Sequence, residues 1–231
     1  DPNTMFRSFD ISDPRNITQL DYTSSGLSNA YGGLCIDGDY AYIGSGGNSE
    51  LVIFDISDPS NLSFISTTSI SNGPQDVAVK AGYAYVISSG GAYFQLHLSI
   101  YNVFDPLNPF FTGSISDASN NHPRAIEIDQ WQPYAYIVCD NNLVIIDVSD
   151  PANPQKISEI STELDGGRDI YKKYNYVFVI SSTNDKLVIF DVTDRANPIY
   201  ISDYTEGLQS PGYIDVDGNY AYIGNVNMSD G

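Results

Sequence analysis

Runs of apolar residues that close on an acidic or amide residue recur along this chain. The segment LVIFDISDP at 51–59 has counterparts at 6–14, 98–106, 143–151 and 187–195. The closing residue returns every 44 to 47 positions, at Asp10, Asp55, Asn102, Asp147 and Asp191. A period of this length is typical of proteins that use one supersecondary unit many times.

Each repeat predicts four short strands. The run at 51–56 is apolar on both sides, as a strand is when both faces of its sheet are buried. The segment SDPSN that follows predicts a turn, because Asp accepts hydrogen bonds from the backbone ahead of it and Pro presets φ. The alternation in SFISTTSI at 63–70 predicts a strand with one exposed face. The segment QDVAVKAGYAYVIS at 75–88 predicts a hairpin.

Four antiparallel strands with this period predict the blade of a β-propeller. A sheet that is apolar on both faces buries them by packing between two neighbours. The sequence begins in the third strand of a unit and ends just past the second, so we expect the N- and C-terminal strands to share one blade. The prediction is therefore an all-β, five-bladed propeller that forms a single domain over 1–231. The alternative is a window from a longer array of six to eight blades, within a longer chain.

The copies LVIFD, LVIID and LVIFD carry a resemblance to a known family. Each is followed by Asp-Pro or a near variant, and several by Asn-Pro, and in this they resemble the LVIVD repeat. The resemblance covers essentially the whole chain and implies a β-propeller in a surface or secreted protein of bacteria or archaea. It implies little about function, because the repeated residues are structural. The copies FRSFD and LSIYN depart from the motif and keep the strand pattern.

Charge narrows the choice of partners. The chain has 29 acidic and 10 basic residues, a formal net charge of −19. Such a surface repels phosphate backbones and anionic membranes, so we expect no nucleic-acid partner. No apolar run is long enough to span a bilayer, so no transmembrane segment is predicted. The resemblance to the LVIVD repeat implies an extracellular or cell-surface location. Cys35 and Cys139 fall in predicted strands and are expected to be free thiols.

Carboxylates on the inner strands are the residues to test for catalysis. A glycosidase needs two of them facing each other across a sugar, and Glu127, Asp169 and Asp215 are the candidates. Their positions in the repeat do not coincide, so we expect them to cap turns or to pair with arginines. His97 and His122 are the only histidines, and neither lies in a nucleophile motif. The sequence therefore predicts no catalytic residues and no enzyme, with a carbohydrate-active enzyme as the alternative.

No cluster of His and Cys predicts a metal site, and no cofactor is expected. The segment DVDGNY at 215–220 resembles the start of a calcium loop but lacks the downstream Glu, which leaves calcium as a minor alternative. Three sequons, at Asn16, Asn61 and Asn227, are candidate glycosylation sites, and the first two occupy the same turn in different repeats.

The loops that enter the inner strands give the candidate binding site. They are expected to meet at the mouth of the propeller channel, together with the insertion at 88–97. The candidate ligand-binding residues there are Gln75, Tyr93, His122, Arg124 and Arg168. Among them Gln75, Arg124 and Arg168 share one repeat position, which would place two cations at the mouth of an acidic protein for an anionic or polar ligand. The alternative is that each Arg neutralises its own neighbours, such as Asp169.

These observations favour a non-catalytic binding or assembly module. Its expected partner is a protein, a glycan or a second copy of the chain. A lectin with one sugar per blade is an alternative, but the loops differ from repeat to repeat. The apolar segment YNVFDPLNPFF at 101–111 is the candidate surface for self-assembly.

Overall fold

A computed structural model of the chain describes residues 4–90 and 94–226, and every regular element in these residues is a β-strand. The strands are β1 Phe6–Asp10, β2 Thr18–Thr23, β3 Leu34–Asp37, β4 Tyr40–Ser45, β5 Glu50–Asp55, β6 Ser63–Ser69, β7 Pro74–Lys80, β8 Tyr83–Gly90, β9 Gln95–Asn102, β10 Phe110–Asn121, β11 Pro123–Ile128, β12 Tyr134–Cys139, β13 Leu143–Asp147, β14 Gln155–Ile160, β15 Gly167–Lys173, β16 Tyr176–Ser181, β17 Lys186–Asp191, β18 Ile199–Tyr204, β19 Pro211–Asp217 and β20 Tyr220–Asn225.

The strands form four-stranded antiparallel sheets in which consecutive strands are neighbours. These sheets are β3–β6, β7–β10, β11–β14 and β15–β18. Each corresponds to one blade, which confirms the predicted all-β propeller fold. The strands nearest the two ends of the sequence form two two-stranded sheets, β1–β2 and β19–β20, rather than one four-stranded sheet. Their union in a single shared blade remains a prediction.

The chain divides into two compact units. Of the described residues, the first unit contains 4–88 and 99–112, and the second contains 89–90, 94–98 and 113–226. The prediction of a single domain over 1–231 stays a prediction. Both clefts described below lie in the second unit.

Central strands are buried on both faces, as their apolar runs predict. All of Leu51–Phe54 in β5 are fully buried, whereas β14 alternates between exposed and half-buried side chains. In the first unit Leu51 packs with Val86 of the next sheet. In the second unit Leu143 packs with Val188 in the same way. Burial of these runs between neighbouring sheets is the main stabilising contribution, since each buried aliphatic side chain is worth about 1.5–3 kcal/mol.

A double turn explains the recurring phrase. Oδ1 of Asp55 accepts the N–H of Ser57 at 2.8 Å, and Oδ1 of Asp58 accepts the N–H of Ser60 at 2.9 Å. The same two bonds recur in the other copies, as Asp10–Ser12 with Asp13–Arg15, Asn102–Phe104 with Asp105–Leu107, Asp147–Ser149 with Asp150–Ala152, and Asp191–Thr193 with Asp194–Ala196. Side chains of Asp and Asn cap tight turns in this way, so the repeated residues serve the fold.

The insertion at 88–97 differs from its prediction as a loop. Strand β8 continues to Gly90, β9 begins at Gln95, and β10 runs on through Asn121. The loop predicted to enter β11, at 119–124, is likewise shorter, because residues 119–121 belong to β10. Pairing satisfies backbone groups that a loop would leave to water, which favours the longer strands.

Candidate functional site

A polar cleft lies between the sheets β11–β14 and β15–β18, where the inner strands β11 and β15 begin. Its volume is about 240 Å³. Its lining contains both hydrogen-bond donors and acceptors and consists of His122, Arg124, Asp140, Asn141, Asp165, Gly166, Arg168, Ser182 and Thr183. We call it the bulge cleft, because its two arginines lie at β-bulges.

A β-bulge places the two arginines in the cleft. The register of β11 with β12 shifts between Pro123 and Ala125, which leaves Arg124 without a partner residue. The register of β15 with β16 shifts between Gly167 and Asp169, which leaves Arg168 in the same situation. An extra unpaired residue bends the strand and re-aims its side chain. The shared repeat position noticed in the sequence is thus a bulge.

Arg124 and His122 are held by one carboxylate. Nε of Arg124 donates to Oδ1 of Asp140 at 2.7 Å, and Nδ1 of His122 lies 2.8 Å from Oδ2 of the same residue. These side chains are a quarter to a third exposed. Asp140 therefore fixes both side chains at the rim, and a histidine proton on Nδ1 leaves Nε2 as an acceptor.

Phe94 packs against His122 of the cleft. Its ring stacks on the His122 ring with centroids 4.4 Å apart, and its carbonyl accepts the N–H of His122 at 2.8 Å. Both residues have a positive φ, 54° for Phe94 and 47° for His122, a conformation that is uncommon outside glycine. The packing and the hydrogen bond together hold this strained backbone.

Arg168 is exposed and has a neutral partner. Its Nε donates to Oγ of Ser182 at 3.1 Å, and that hydroxyl donates to the carbonyl of Gly166 at 3.0 Å. Among the residues that the structure describes, Arg168 forms no salt bridge. The guanidinium therefore retains donors for a ligand.

The expected neutralisation of Arg168 by Asp169 is wrong. Oδ1 of Asp169 accepts the N–H of Ile170 at 2.9 Å, and Oδ2 accepts the N–H of Ile214 in the next sheet at 2.8 Å. Burial raises the pKa of Asp169, and these two bonds oppose the rise. The carboxylate of Asp169 therefore links two sheets, whereas the side chain of Arg168, at the bulge, lines the cleft.

Glycine and serine shape the wall formed by residues 165–168. A Cβ on Gly167 would lie 2.2 Å from the carbonyl oxygen of Cys139, so only glycine permits this approach of the two sheets. The N–H of Gly167 donates to the carbonyl of Asp140 at 2.8 Å. The buried Oγ of Ser181 accepts the N–H of Asp165 at 3.0 Å and donates to its carbonyl. The wall is therefore fixed before any ligand binds.

The structure brings three of the five predicted ligand-binding residues together. His122, Arg124 and Arg168 line the bulge cleft. Gln75 occupies the equivalent bulge of β7 in the first unit and does not line this cleft. Tyr93 lies outside the described residues.

Backbone N–H groups bind two of the three inner-strand acids. Asp169 is occupied by backbone N–H groups, and Asp215 accepts the N–H of Val216 at 2.8 Å. Glu127 is half-buried and adds, after burial and Asp215, to the raised pKa of Tyr171. Both acids lie within strands and accept strand N–H groups, whereas the expectation was that they cap turns or pair with arginines.

The remaining predictions concern metal ligands, glycosylation sites, membrane-spanning segments and the cysteines. In residues 4–90 and 94–226 no group of three His, Cys, Asp or Glu side chains could hold a metal ion. Asn16 and Asn61 are exposed in their turns, and Asn227 lies outside the described residues. Among the described residues, no helix has the length and hydropathy needed to cross a bilayer. Cys35 and Cys139 are not joined by a disulfide, as expected.

Asp140 and Ser182 bond the two arginines of the cleft, and the sequence did not single them out. Each directly follows the second strand of its blade, and hairpin pairing returns that position to the start of the inner strand. The signal that could have found them is therefore hairpin register, which places the residue after β12 beside Arg124.

These blades, with a bulge at the start of the inner strands β7, β11, β15 and β19, define a repeat protein of the β-propeller class. The family model described as the LVIVD repeat matches residues 32–69, 74–93, 132–162, 168–206 and 212–228. The chain belongs to this family. No curated protein matches it in sequence.

Solved structures share the fold. A functionally unknown protein from Desulfotomaculum acetoxidans superposes with a TM-score of 0.79 at 15% identity, over 96% of this chain and 69% of that one. The periplasmic gluconolactonase of Pseudomonas aeruginosa superposes with a TM-score of 0.69 at 12% identity, over 94% of this chain and 65% of that one. At these identities the likeness concerns the fold alone.

Proposed function

We propose that the protein is a non-catalytic binding module of the cell exterior or cell surface, and that its bulge cleft takes a carboxylate-bearing sugar of a glycan. The observation that carries the proposal is the exposed guanidinium of Arg168, aimed by a bulge into a small polar cleft and bonded only to a hydroxyl within the described residues. A guanidinium binds a carboxylate through paired, charge-assisted hydrogen bonds.

The remaining lining suits sugar hydroxyls. Asp165 supplies an acceptor, Thr183 supplies a hydroxyl, and Asn141 supplies an amide with both donor and acceptor atoms. A cleft with both kinds of group beside a free guanidinium matches a polyhydroxylated acid better than a simple inorganic anion. The net charge of −19 opposes binding of a polyanion elsewhere on the chain, so such a ligand depends on this local cation.

Calorimetric titration with tetragalacturonate tests the cleft. Arg168→Gln should weaken binding by about tenfold or more, because a hydrogen bond to a charged group contributes about 1.5–3 kcal/mol. Arg15→Gln, which removes the same charge from an exposed turn of the first unit, should leave the affinity unchanged. Equal affinity in the two variants would refute the cleft as the site.

Two further measurements separate the rival partners and the location. A hexaglutamate titration distinguishes an acidic peptide from an acidic glycan, because the peptide lacks the hydroxyls that Asp165 and Asn141 would bind. Protease treatment of intact producing cells should remove the protein if it is surface-exposed. Full protection until lysis would contradict the proposed location.

Lactone hydrolysis is the second candidate function. The His122–Asp140 pair favours it, since a proton held on Nδ1 leaves Nε2 free to accept a proton from water. Arg168, in the same cleft, could stabilise the oxyanion that forms as water attacks a carbonyl. Turnover of D-glucono-1,5-lactone that is lost in His122→Gln would establish this activity and displace the non-catalytic proposal.

A further inference from the structure

A second cleft lies at the opposite ends of β11 and β15, where each strand turns into a hairpin. Its volume is about 160 Å³, and residues 129–131 and 171–174 line it. We call it the tip cleft. It shares no residue with the bulge cleft.

The floor of the tip cleft is a buried ion pair. Asp129 and Lys172 have side chains only 5% exposed, and Nζ of Lys172 lies 3.3 Å from Oδ2 of Asp129. Oδ1 of Asp129 accepts the N–H groups of Trp131 at 2.9 Å and Gln132 at 3.2 Å. Nζ of Lys172 also donates to the carbonyl of Tyr174. One ion pair therefore fixes both hairpin tips.

A third charge rigidifies this floor. Arg195 approaches Oδ2 of Asp129 to 3.4 Å, and its guanidinium carbon lies 4.7 Å from the centre of the Tyr134 ring. The other four copies of the repeat have proline at the position of Arg195, namely Pro14, Pro59, Pro106 and Pro151. Burial raises the pKa of Asp129, but the N–H of Trp131 and the charge of Lys172 outweigh it and hold that pKa below its usual value.

Two aromatic side chains stand above this floor in solvent. Trp131 is 77% exposed and Tyr174 is 76% exposed. Trp131 is the only tryptophan in the chain. Tyr174 has a φ of 52°, which is uncommon for a bulky residue and is held by the bond from Lys172. A strained backbone and a buried ion pair thus present rings that contribute little to the core.

We infer that the tip cleft binds a neutral hexose unit of an oligosaccharide between Trp131 and Tyr174. Large aromatic rings offer apolar faces on which the C–H face of a sugar ring packs. Gln130 and Lys173 line the same cleft and supply polar groups at its edge for hydroxyls. Asp129 and Lys172 compensate one another's charge in the floor, and an uncharged sugar can still accept hydrogen bonds from the ammonium of Lys173 at the edge.

The cleft suits a sugar better than a peptide anchor. A protein partner usually inserts an apolar anchor into a desolvated pocket. Here the floor is ionic and the cavity holds about 160 Å³, which is the scale of a single sugar ring. A sugar also satisfies polar edges and apolar faces in one ligand.

Fluorescence of the single tryptophan gives a direct test. The purified chain is titrated with hexasaccharides of glucose, N-acetylglucosamine, galactose, mannose and xylose, and the emission of Trp131 is followed. At least one should produce a saturable change in intensity or wavelength. Tyr174→Ala should weaken that ligand by about tenfold, as loss of an aromatic contact does. Tyr204→Ala, which removes a half-exposed tyrosine from the outer strand β18, should not.

Calorimetry completes the test without the reporter. Trp131→Ala should abolish the heat of binding of the same hexasaccharide, while Arg168→Gln in the bulge cleft should leave it unchanged. Binding at the tip cleft is therefore measured separately from binding at the bulge cleft. The assignment of a sugar to the tip cleft is overturned if no hexasaccharide in the series alters the emission of Trp131, or if Tyr174→Ala binds the hexasaccharide with unchanged affinity.

Discussion

Removal of the Asp129 carboxylate should destabilise the second unit far more than removal of an exposed acid. Asp129 is 3% exposed and is contacted by Lys172, Arg195, the Tyr136 hydroxyl and two backbone N–H groups. Asp129→Ala leaves the buried ammonium of Lys172 without its carboxylate. Breaking a buried pair from one side costs about 3–5 kcal/mol of the free energy of unfolding.

Two matched variants set the scale. Glu159→Ala removes a carboxylate that is 41% exposed, and its partner Lys156 keeps Asp117, so the cost should be about 0–1 kcal/mol. The double variant Asp129→Ala, Lys172→Met should recover most of the loss, because it replaces the stranded charge with an apolar side chain.

Urea unfolding followed by circular dichroism and by Trp131 fluorescence measures all three variants. Since Trp131 lies in the second unit, its emission reports the unfolding of that unit. The expected order of stability is wild type, Glu159→Ala, the double variant, then Asp129→Ala. If Asp129→Ala unfolds at the same urea concentration as Glu159→Ala, the described ion pair does not stabilise the hairpin tips and the reasoning is refuted.

Four further predictions follow from other parts of the chain. Hydrogen bonds from side chains and backbone lower the pKa of the turn aspartates, so their contribution to stability is complete above the usual value of about 4 and is lost as the pH falls through the lowered values. Thermal unfolding temperatures should therefore fall below about pH 4; a constant value down to pH 2 would contradict this. Burial raises the pKa of Cys139, so maleimide should label it far more slowly than the half-buried Cys35. Equal labelling rates of the two cysteines, measured by mass spectrometry, would contradict the burial of Cys139. Phe110 and Phe111 are 57% and 55% exposed, so any association seen by light scattering should decrease in Phe110→Ser, and a strict monomer at millimolar concentration would tell against assembly. In a host that glycosylates sequons, exposed Asn61 should carry a glycan detectable as a mass shift lost in Asn61→Gln, and an unmodified peptide there would contradict it.

Repetition made the fold predictable from the sequence. Apolar runs such as 51–54 are buried on both faces because a sheet lies on each side, and each repeat contains such a run. The recurring Asp residues accept backbone N–H groups in turns, an interaction between near neighbours in the chain. Hydrogen bonds between near neighbours in the chain can be predicted from a single sequence.

The site was only partly predictable because it depends on register. The sequence shows that Arg124 and Arg168 share a repeat position, but it does not show the bulge that directs both side chains into the cleft. Asp140 joins Arg124 and His122 only once the β11–β12 hairpin is paired. The tip cleft was missed altogether, because Asp129 and Lys172 lie in different repeats and only the packing of their sheets brings them together. Lys172 also occupies a position that is apolar in other inner strands, as at Ile36 and Val216.

A crystal structure of the chain with tetragalacturonate tests the central claim most directly. The proposal predicts a sugar carboxylate within hydrogen-bonding distance of the Arg168 guanidinium, with sugar hydroxyls beside Asp165. An empty bulge cleft at saturating ligand, or a uronate bound away from Arg168, would contradict it.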